Sequence, residues 1–225
     1  MAHAHHDTHN HPFVPALGWH ALTRLYDPLI ALTLRERAVK QQLVEQARLA
    51  PGCAVLDFGC GTGTLALLLK RHCPTARVVG IDVDPTVLEL ARRKILRAGL
   101  DIELRQGVFG ADTFAPASFD RIVSTLVLHH LTRDEKLAVL RAMRTALRPG
   151  GELHVADFGP PHNALMRLAA RVIGHVDGAG RVGDNLAGKL PALIAEAGFT
   201  EVATVGRRST PFGTLAYLRA SRGAA

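Results

Sequence analysis

Cysteine, methionine and aromatic residues are scarce in this chain of 225 residues, which holds three Cys, three Met, one Trp, two Tyr and eight Phe. Cys53, Cys60 and Cys73 form no C-x-x-C pair, which argues against a zinc or disulfide framework and suggests reduced thiols. No apolar run approaches the roughly 20 residues that a membrane-spanning helix needs. The first residues lack the basic-then-apolar order of a secretory leader, and the reduced thiols lead to the expectation of a cytoplasmic location. Internal repeats and a second domain are absent too, as are a nucleophile triad and a metal-ligand cluster in the body of the chain.

What remains is a sequence that is 48% hydrophobic with 21 glycines, suited to one α/β domain with a substantial core. The net charge of +7 invites a nucleic-acid or anionic-membrane partner. Its distribution tempers that reading. Arg92, Arg93, Lys94 and Arg97 fall on one predicted helix, and Arg141, Arg144 and Arg148 on another, at spacings typical of solvated faces. Residues 1–12 gather His3, His5, His6, His9 and His11 around Asp7. Imidazoles so placed bind Zn²⁺, Ni²⁺ or Cu²⁺, but no second cluster closes a site, so a solvated tail is the simpler reading and no metal is assigned.

The chain is organised around Val55–Thr64, where a buried strand ending in Asp57 runs into Gly59, Gly61 and Gly63 and then into a helix. Such a turn brings bare backbone N–H groups to a ligand at a helix N-terminus. A dinucleotide fingerprint would place a third glycine at position 64, which is Thr64. The pattern is instead D-x-G-x-G-x-G, and an acid before the glycines suits a ligand with a cationic amino group. A second strand, Arg77–Asp82, ends in another carboxylate, 23 positions after Gly59. That is where a doubly wound fold sets an acid against ribose hydroxyls. Asp84-Pro85 caps the next helix, which runs to about Ala98 and closes at Gly99.

Ile102–Gln106 reads as a third strand followed by Gly107-Val108-Phe109. The fourth, Ser118–Ser124, is entered through Phe119-Asp120 and continues to Leu131, past His129-His130. Thr132 and Glu135 form a capping box for a helix through Leu147. Arg148-Pro149-Gly150-Gly151 turns into a fifth strand, Glu152–Phe158. Beyond it, Gly174–Gly180 reads as loose, Asn185–Ala197 as a helix, and Glu201–Val205 with Leu215–Leu218 as a closing hairpin.

This combination resembles the class I S-adenosylmethionine-dependent methyltransferases, over residues 50–158 above all, and is closest to the ubiquinone/menaquinone and phospholipid group. The resemblance implies a Rossmann-like, doubly wound, mostly parallel seven-stranded sheet with a C-terminal antiparallel hairpin. It implies a single domain over 13–225: lid helices at 13–49, a cofactor-binding core at 50–158, a substrate cap at 159–190 and a closing unit at 191–225. S-adenosylmethionine would be held by Asp57, Gly59, Gly61, Gly63, Asp82, Val83, Val108, Phe109 and Ser124, leaving S-adenosylhomocysteine as product. The family pattern has an acid after the glycine of the third strand, where this chain has Val108, so adenine would rest on backbone N–H groups and apolar packing. His129 or His130 is the candidate base, and Tyr26 and Asp157 are candidate acceptor contacts.

The expected reaction is methyl transfer to a small, apolar or membrane-derived acceptor by a monomer or homodimer. Peripheral contact with an anionic membrane is compatible with the charge. One alternative is an RNA or protein methyltransferase, although no appended RNA-binding domain and no Asn-Pro-Pro-Tyr type of motif is present. The other is a non-catalytic cofactor- or metal-binding protein on the same scaffold.

Overall fold

The computed structural model describes residues 36–176 and 179–224. The histidine-rich tail and most of the expected 13–49 lid, Tyr26 included, lie outside the described residues. Among those described, helix α1 spans Glu36–Ala47, followed by β1 (Ala54–Phe58), α2 (Thr64–His72), β2 (Arg77–Asp82), α3 (Pro85–Ala98) and β3 (Glu103–Gln106). Then come β4 (Phe119–Thr125), a 3-10 turn (Leu128–His130), α4 (Arg133–Ala146), β5 (Leu147–Phe158), α5 (Ala164–Val176), α6 (Ala179–Leu186), α7 (Leu190–Glu196), β6 (Thr200–Thr210) and β7 (Gly213–Ser221).

The strands form one seven-stranded sheet in the order β3-β2-β1-β4-β5-β7-β6. The first five run parallel, and β7 pairs antiparallel with both β5 and β6. β1 sits near the middle and is buried along its whole length, as the continuous apolar run requires. Its period of two divides the core. Val55 packs with α1 and α2 on one face, whereas Leu56 and Phe58 pack with α4 and α7 on the other.

Local signals in the sequence account for several helix ends. Asp84 accepts the Thr86 N–H at 2.7 Å, Pro85 follows it, and Gly99 closes α3 in the left-handed region. Thr132 and Glu135 make both halves of the capping box on α4. Two motifs far apart in sequence also meet. Asp120 accepts the Ala54 N–H at 2.7 Å and takes both oxygens to Arg148, at 2.8 and 2.7 Å, so the Phe-Asp entry of β4 is tied to the Arg-Pro-Gly-Gly turn. Although burial pushes the other way, these partners lower the pKa of Asp120. Several of the arginines expected on solvated faces are engaged in the same manner, Arg92 and Arg93 with Glu89 and Arg144 with the Gly198 carbonyl.

Four expectations of local structure are corrected. The fourth strand stops at Thr125 rather than running to Leu131: Leu126 turns into the left-handed region at φ 58°, and the chain then forms the 3-10 turn. The Asp157 carboxylate gives Leu128 N–H a partner at 2.8 Å that no neighbouring strand provides. The fifth strand begins earlier, at Leu147, with a register shift opposite Phe119 and Arg121 that absorbs the glycines. The helix expected over 185–197 is two helices, parted at Gly188, whose φ is 73°, with Pro191 in the first turn of α7. The stretch 174–180 is not loose throughout, since α5 reaches Val176 and α6 begins at Ala179. Among the described residues no helix is long and apolar enough to cross a membrane.

Candidate active site

The turn between β1 and α2 is shaped for close approach. Gly59, Gly61 and Gly63 have φ of 67°, 51° and 75°, a region that costs a residue with a side chain about 1–2 kcal/mol. A Cβ on Gly59 would also come within 2.3 Å of Val127 Cγ2, whereas one on Gly61 would meet open space. Gly59 and Cys60 donate to the Ile81 carbonyl at 2.9 and 3.0 Å, which ties the turn to β2. Asp82 completes the tie: Oδ2 accepts the Gly61 N–H at 2.8 Å and Oδ1 accepts the Asp84 N–H at 3.0 Å. Each of its oxygens retains a lone pair for a further donor.

Asp57 lies behind this turn and is 1% exposed. Its Oδ2 has no hydrogen-bond partner. Burial raises its pKa to about 7, with Lys40 of α1 opposing and Asp82 adding to the shift. Ser124 Oγ and Thr125 Oγ1, at the end of the neighbouring β4, are buried and unpartnered as well, and Phe58 and Ser124 are register partners. Buried polar atoms nearly always find a partner. Asp57 Oδ2, Ser124 Oγ and Thr125 Oγ1 thus leave hydrogen-bonding capacity at adjacent strand ends. They sit where β1 is flanked by β2 on one side and β4 on the other, the strand-order switch at which open α/β sheets bind.

These residues fit S-adenosylmethionine. Asp57 offers a carboxylate to a cationic amino group, Asp82 offers acceptor lone pairs to a diol, and the glycine turn lets backbone approach. Val83 and Val108 are exposed, as packing against a flat base requires. Phe109 is placed differently, being 4% exposed with its ring edge-on to Phe58 at 5.5 Å and against Phe114 at 6.0 Å. It supports the floor from within the core.

On the α4 side of the sheet, the 3-10 turn carries His129 onto Asp157 at the end of β5. His129 Nδ1 lies 2.7 Å from Asp157 Oδ1, and both residues are buried. Asp157 Oδ1 also accepts the Phe158 N–H at 2.7 Å, so its carboxylate is fixed from the backbone of two segments. Burial works to raise the pKa of Asp157, but the adjacent His129 and these donors hold it below the usual carboxylate range. The Phe158 ring stands edge-on to His129 at 4.8 Å. His130 keeps an exposed edge and lies 3.9 Å from the His129 ring. Enclosure of the rest of its ring, then the neighbouring His129, lowers its pKa.

Sequence reading did not single out Lys136. It is fully buried in α4 and donates to the Arg181 carbonyl of α6 at 2.6 Å. Burial lowers its pKa, while Asp184 and Asp157 pull it back up. Lys136→Met is expected to change folding stability by less than about 1.5 kcal/mol, because an apolar chain of similar volume replaces a buried cation. Lys136→Ala should cost about 2–5 kcal/mol through the cavity it leaves. Urea unfolding of both variants checks the contrast. Lys40 was also passed over: a lysine at a half-buried position in an ordinary amphipathic helix carries no local signal of the carboxylate that it faces.

A glycine turn and two strand-end carboxylates at the switch point of such a sheet form the arrangement expected of class I S-adenosylmethionine-dependent methyltransferases. Comparison with known proteins agrees: residues 55–151 match the family model described as a methyltransferase domain. The chain is 34% identical over 151 residues to demethylmenaquinone methyltransferase of Thermus thermophilus, a match covering 67% of this chain and 66% of that one. It is 36% identical over 131 residues to the ubiquinone biosynthesis O-methyltransferase of Xanthomonas campestris pv. campestris, covering 56% of this chain and 53% of the relative. Among solved structures, the S-adenosylmethionine-dependent methyltransferase SibL in its apo form superposes with a TM-score of 0.62 at 25% identity, over 92% of this chain and 57% of that one. The chain thus belongs to the class I methyltransferase family, close to the ubiquinone and menaquinone group, and spans between half and two thirds of the length of these curated relatives.

Proposed function

We propose that this protein transfers a methyl group from S-adenosylmethionine to a small, apolar, hydroxyl-bearing acceptor of the quinol type, in a cytoplasmic setting. The observation that carries the reading is the buried His129–Asp157 pair, one strand away from the orphaned polar atoms of the glycine-turn site. When bound, the cofactor supplies an electrophilic methyl group on a sulfonium, and the chain has only to align an acceptor and deprotonate it. Asp57 would meet the amino end of the cofactor, and Asp82, which keeps Gly61 in place, would hold the ribose. Val83 and Val108 would pack the adenine, with Gly107 and its neighbours offering backbone groups.

Ionised Asp157 accepts the Nδ1 proton of His129, so the proton-accepting atom is Nε2. Asp157 is then a positioning residue and His129 the residue that takes the acceptor hydroxyl proton. His130 is the outer neighbour in this scheme, and Tyr26 remains a proposed acceptor contact. The division of the chain into a cofactor core at 50–158 and an acceptor cap at 159–190 follows the same reading. Two relatives named for menaquinone and ubiquinone biosynthesis support a quinol-type acceptor.

Incubation with S-adenosylmethionine and a panel of hydroquinones, catechols and RNA tests this. S-adenosylhomocysteine should appear with the small phenols, with one added methyl in the product by mass spectrometry. Release with RNA alone would favour a nucleic-acid methyltransferase. Asp82→Ala is expected to weaken S-adenosylhomocysteine binding by about 1.5–3 kcal/mol, the scale of hydrogen bonds to a charged group. Asp82→Asn, which keeps one oxygen for a backbone N–H, should lose less. Unchanged affinity in Asp82→Ala, by calorimetry, would mean that the nucleoside lies elsewhere.

A further inference from the structure

Asn185 is, among the described residues outside the cofactor site, the one whose side-chain nitrogen and oxygen are both buried without a partner. It sits in α6, 1% exposed, and neither its amide nitrogen nor its amide oxygen makes a hydrogen bond. Leaving a buried amide unsatisfied costs about 1–3 kcal/mol. Neither helix propensity nor capping explains the residue. Asparagine is a weak helix former, and here its side chain bonds no backbone group at the helix end.

Asn185 lines a cavity of about 90 Å³ between α6, α7 and the C-terminal end of β5. The walls are largely apolar, with Phe158, Pro160, Leu190 and Pro191 among them, and the exposed Arg207 stands at the rim. Gly188 keeps the space open: a Cβ there would sit 3.3 Å from Pro160, and its φ of 73° disfavours a side chain. Phe158 lines the cavity and also places its ring edge-on to His129, so one aromatic ring stands between the cavity and the His129–Asp157 pair. The same helix is tied to the core beneath that pair through the Arg181 carbonyl and Lys136.

We infer that Asn185 is a specificity-determining residue that receives the oxygen-bearing edge of the methyl acceptor. A primary amide presents a donor beside an acceptor. Its complement is a ring edge on which a hydroxyl stands next to another oxygen, as in a catechol. The volume admits the edge of one ring and not a nucleoside. A site built to hydrogen-bond such an edge discriminates strongly against an analogue that lacks it, because the amide would then stay unpaired. This inference rests on the methyltransferase reading above, and concerns only which acceptor is chosen.

The test uses catechol, phenol and toluene as probes of the full chain saturated with S-adenosylhomocysteine. Side-chain N–H₂ signals of Asn185 are followed by NMR in the wild type and in Asn185→Leu. Catechol should shift the Asn185 pair saturably and bind at least tenfold tighter than phenol, with toluene weaker still. Asn185→Leu should remove that order of preference while binding S-adenosylhomocysteine within twofold of wild type, which also shows that it is folded. Equal binding of catechol by both proteins would overturn the inference. So would an Asn185 pair that contacts only trapped water, for which the cavity has room at roughly 30 Å³ per molecule. If the wild type fails to bind S-adenosylhomocysteine, the methyltransferase reading itself falls. If it binds the cofactor product but shows no catechol effect, only the role of Asn185 does.

Discussion

Asp157→Asn is expected to lower turnover by two to four orders of magnitude while leaving S-adenosylhomocysteine affinity within about twofold. The substitution keeps the volume and one oxygen. It removes the charge that makes His129 Nδ1 the protonated nitrogen, and an amide donating to Nδ1 would instead move the proton to Nε2, where the acceptor must be deprotonated. Wrong-tautomer effects in other His–Asp systems reach about four orders of magnitude. Stability should fall by about 1–3 kcal/mol, because the Leu128 and Phe158 amides lose a charged acceptor. His129→Gln should show a similar loss of turnover, and the double variant little more than either alone, since the two act as one unit. Steady-state rates with the best phenolic acceptor, alongside cofactor calorimetry, decide this. A rate within threefold of wild type for Asp157→Asn would remove the pair from the mechanism.

The second large effect concerns stability and binding in opposite directions. Asp57 is an acid whose folded-state pKa, about 7, lies above its unfolded value. Such a group favours the fold at low pH, where both states hold the proton, and this contribution is lost as pH rises from about 4 to 7. At pH 8 the ligand-free protein therefore carries a buried carboxylate that Lys40 and the Ala66 N–H compensate only in part. Asp57→Asn should relieve it, stabilising the ligand-free protein at pH 8 by on the order of 3 kcal/mol and hardly at pH 4. The same variant should bind S-adenosylmethionine at least tenfold more weakly, and the rise in wild-type affinity between pH 6 and 8 should vanish. Thermal unfolding and calorimetry at the two pH values check both halves. A destabilised variant at pH 8 would show that Asp57 supports the fold rather than the ligand. This opposition is what a site prepared for a cation implies: the carboxylate is held ready at a cost to the empty protein.

Much of this was legible in the sequence because the informative residues act locally. Asp57, the three glycines and Asp82 lie within two strand–turn units, so their spacing alone places them at neighbouring strand ends. Asp84, Pro85, Gly99, Thr132 and Glu135 cap helices through contacts a few residues away. The partners separated by long stretches of chain were not readable. Nothing local distinguishes an Asp157 that meets an acceptor from one that reaches back 28 positions to His129. The run from Ser124 to Leu128 has strand composition, yet the left-handed turn at Leu126 and the tertiary bond from Leu128 N–H to Asp157 end it early. Phe109 likewise reads as a base-stacking ring beside Val108, yet Phe58 and Phe114 draw it into the core. Lys136 and Asn185 are ordinary helix residues by pattern, and their burial follows from how α6 docks on the 3-10 turn and α4.

The central claim is that the crevice between β1 and β4 holds S-adenosylmethionine. Calorimetric titration of the full chain with S-adenosylhomocysteine at pH 8, beside Asp82→Ala, measures it most directly. The wild type should show one saturable site per chain, weakened at least tenfold by the substitution with the fold intact by circular dichroism. A folded wild type that shows no heat of binding, or an Asp82→Ala variant that binds as tightly as the wild type, would contradict it.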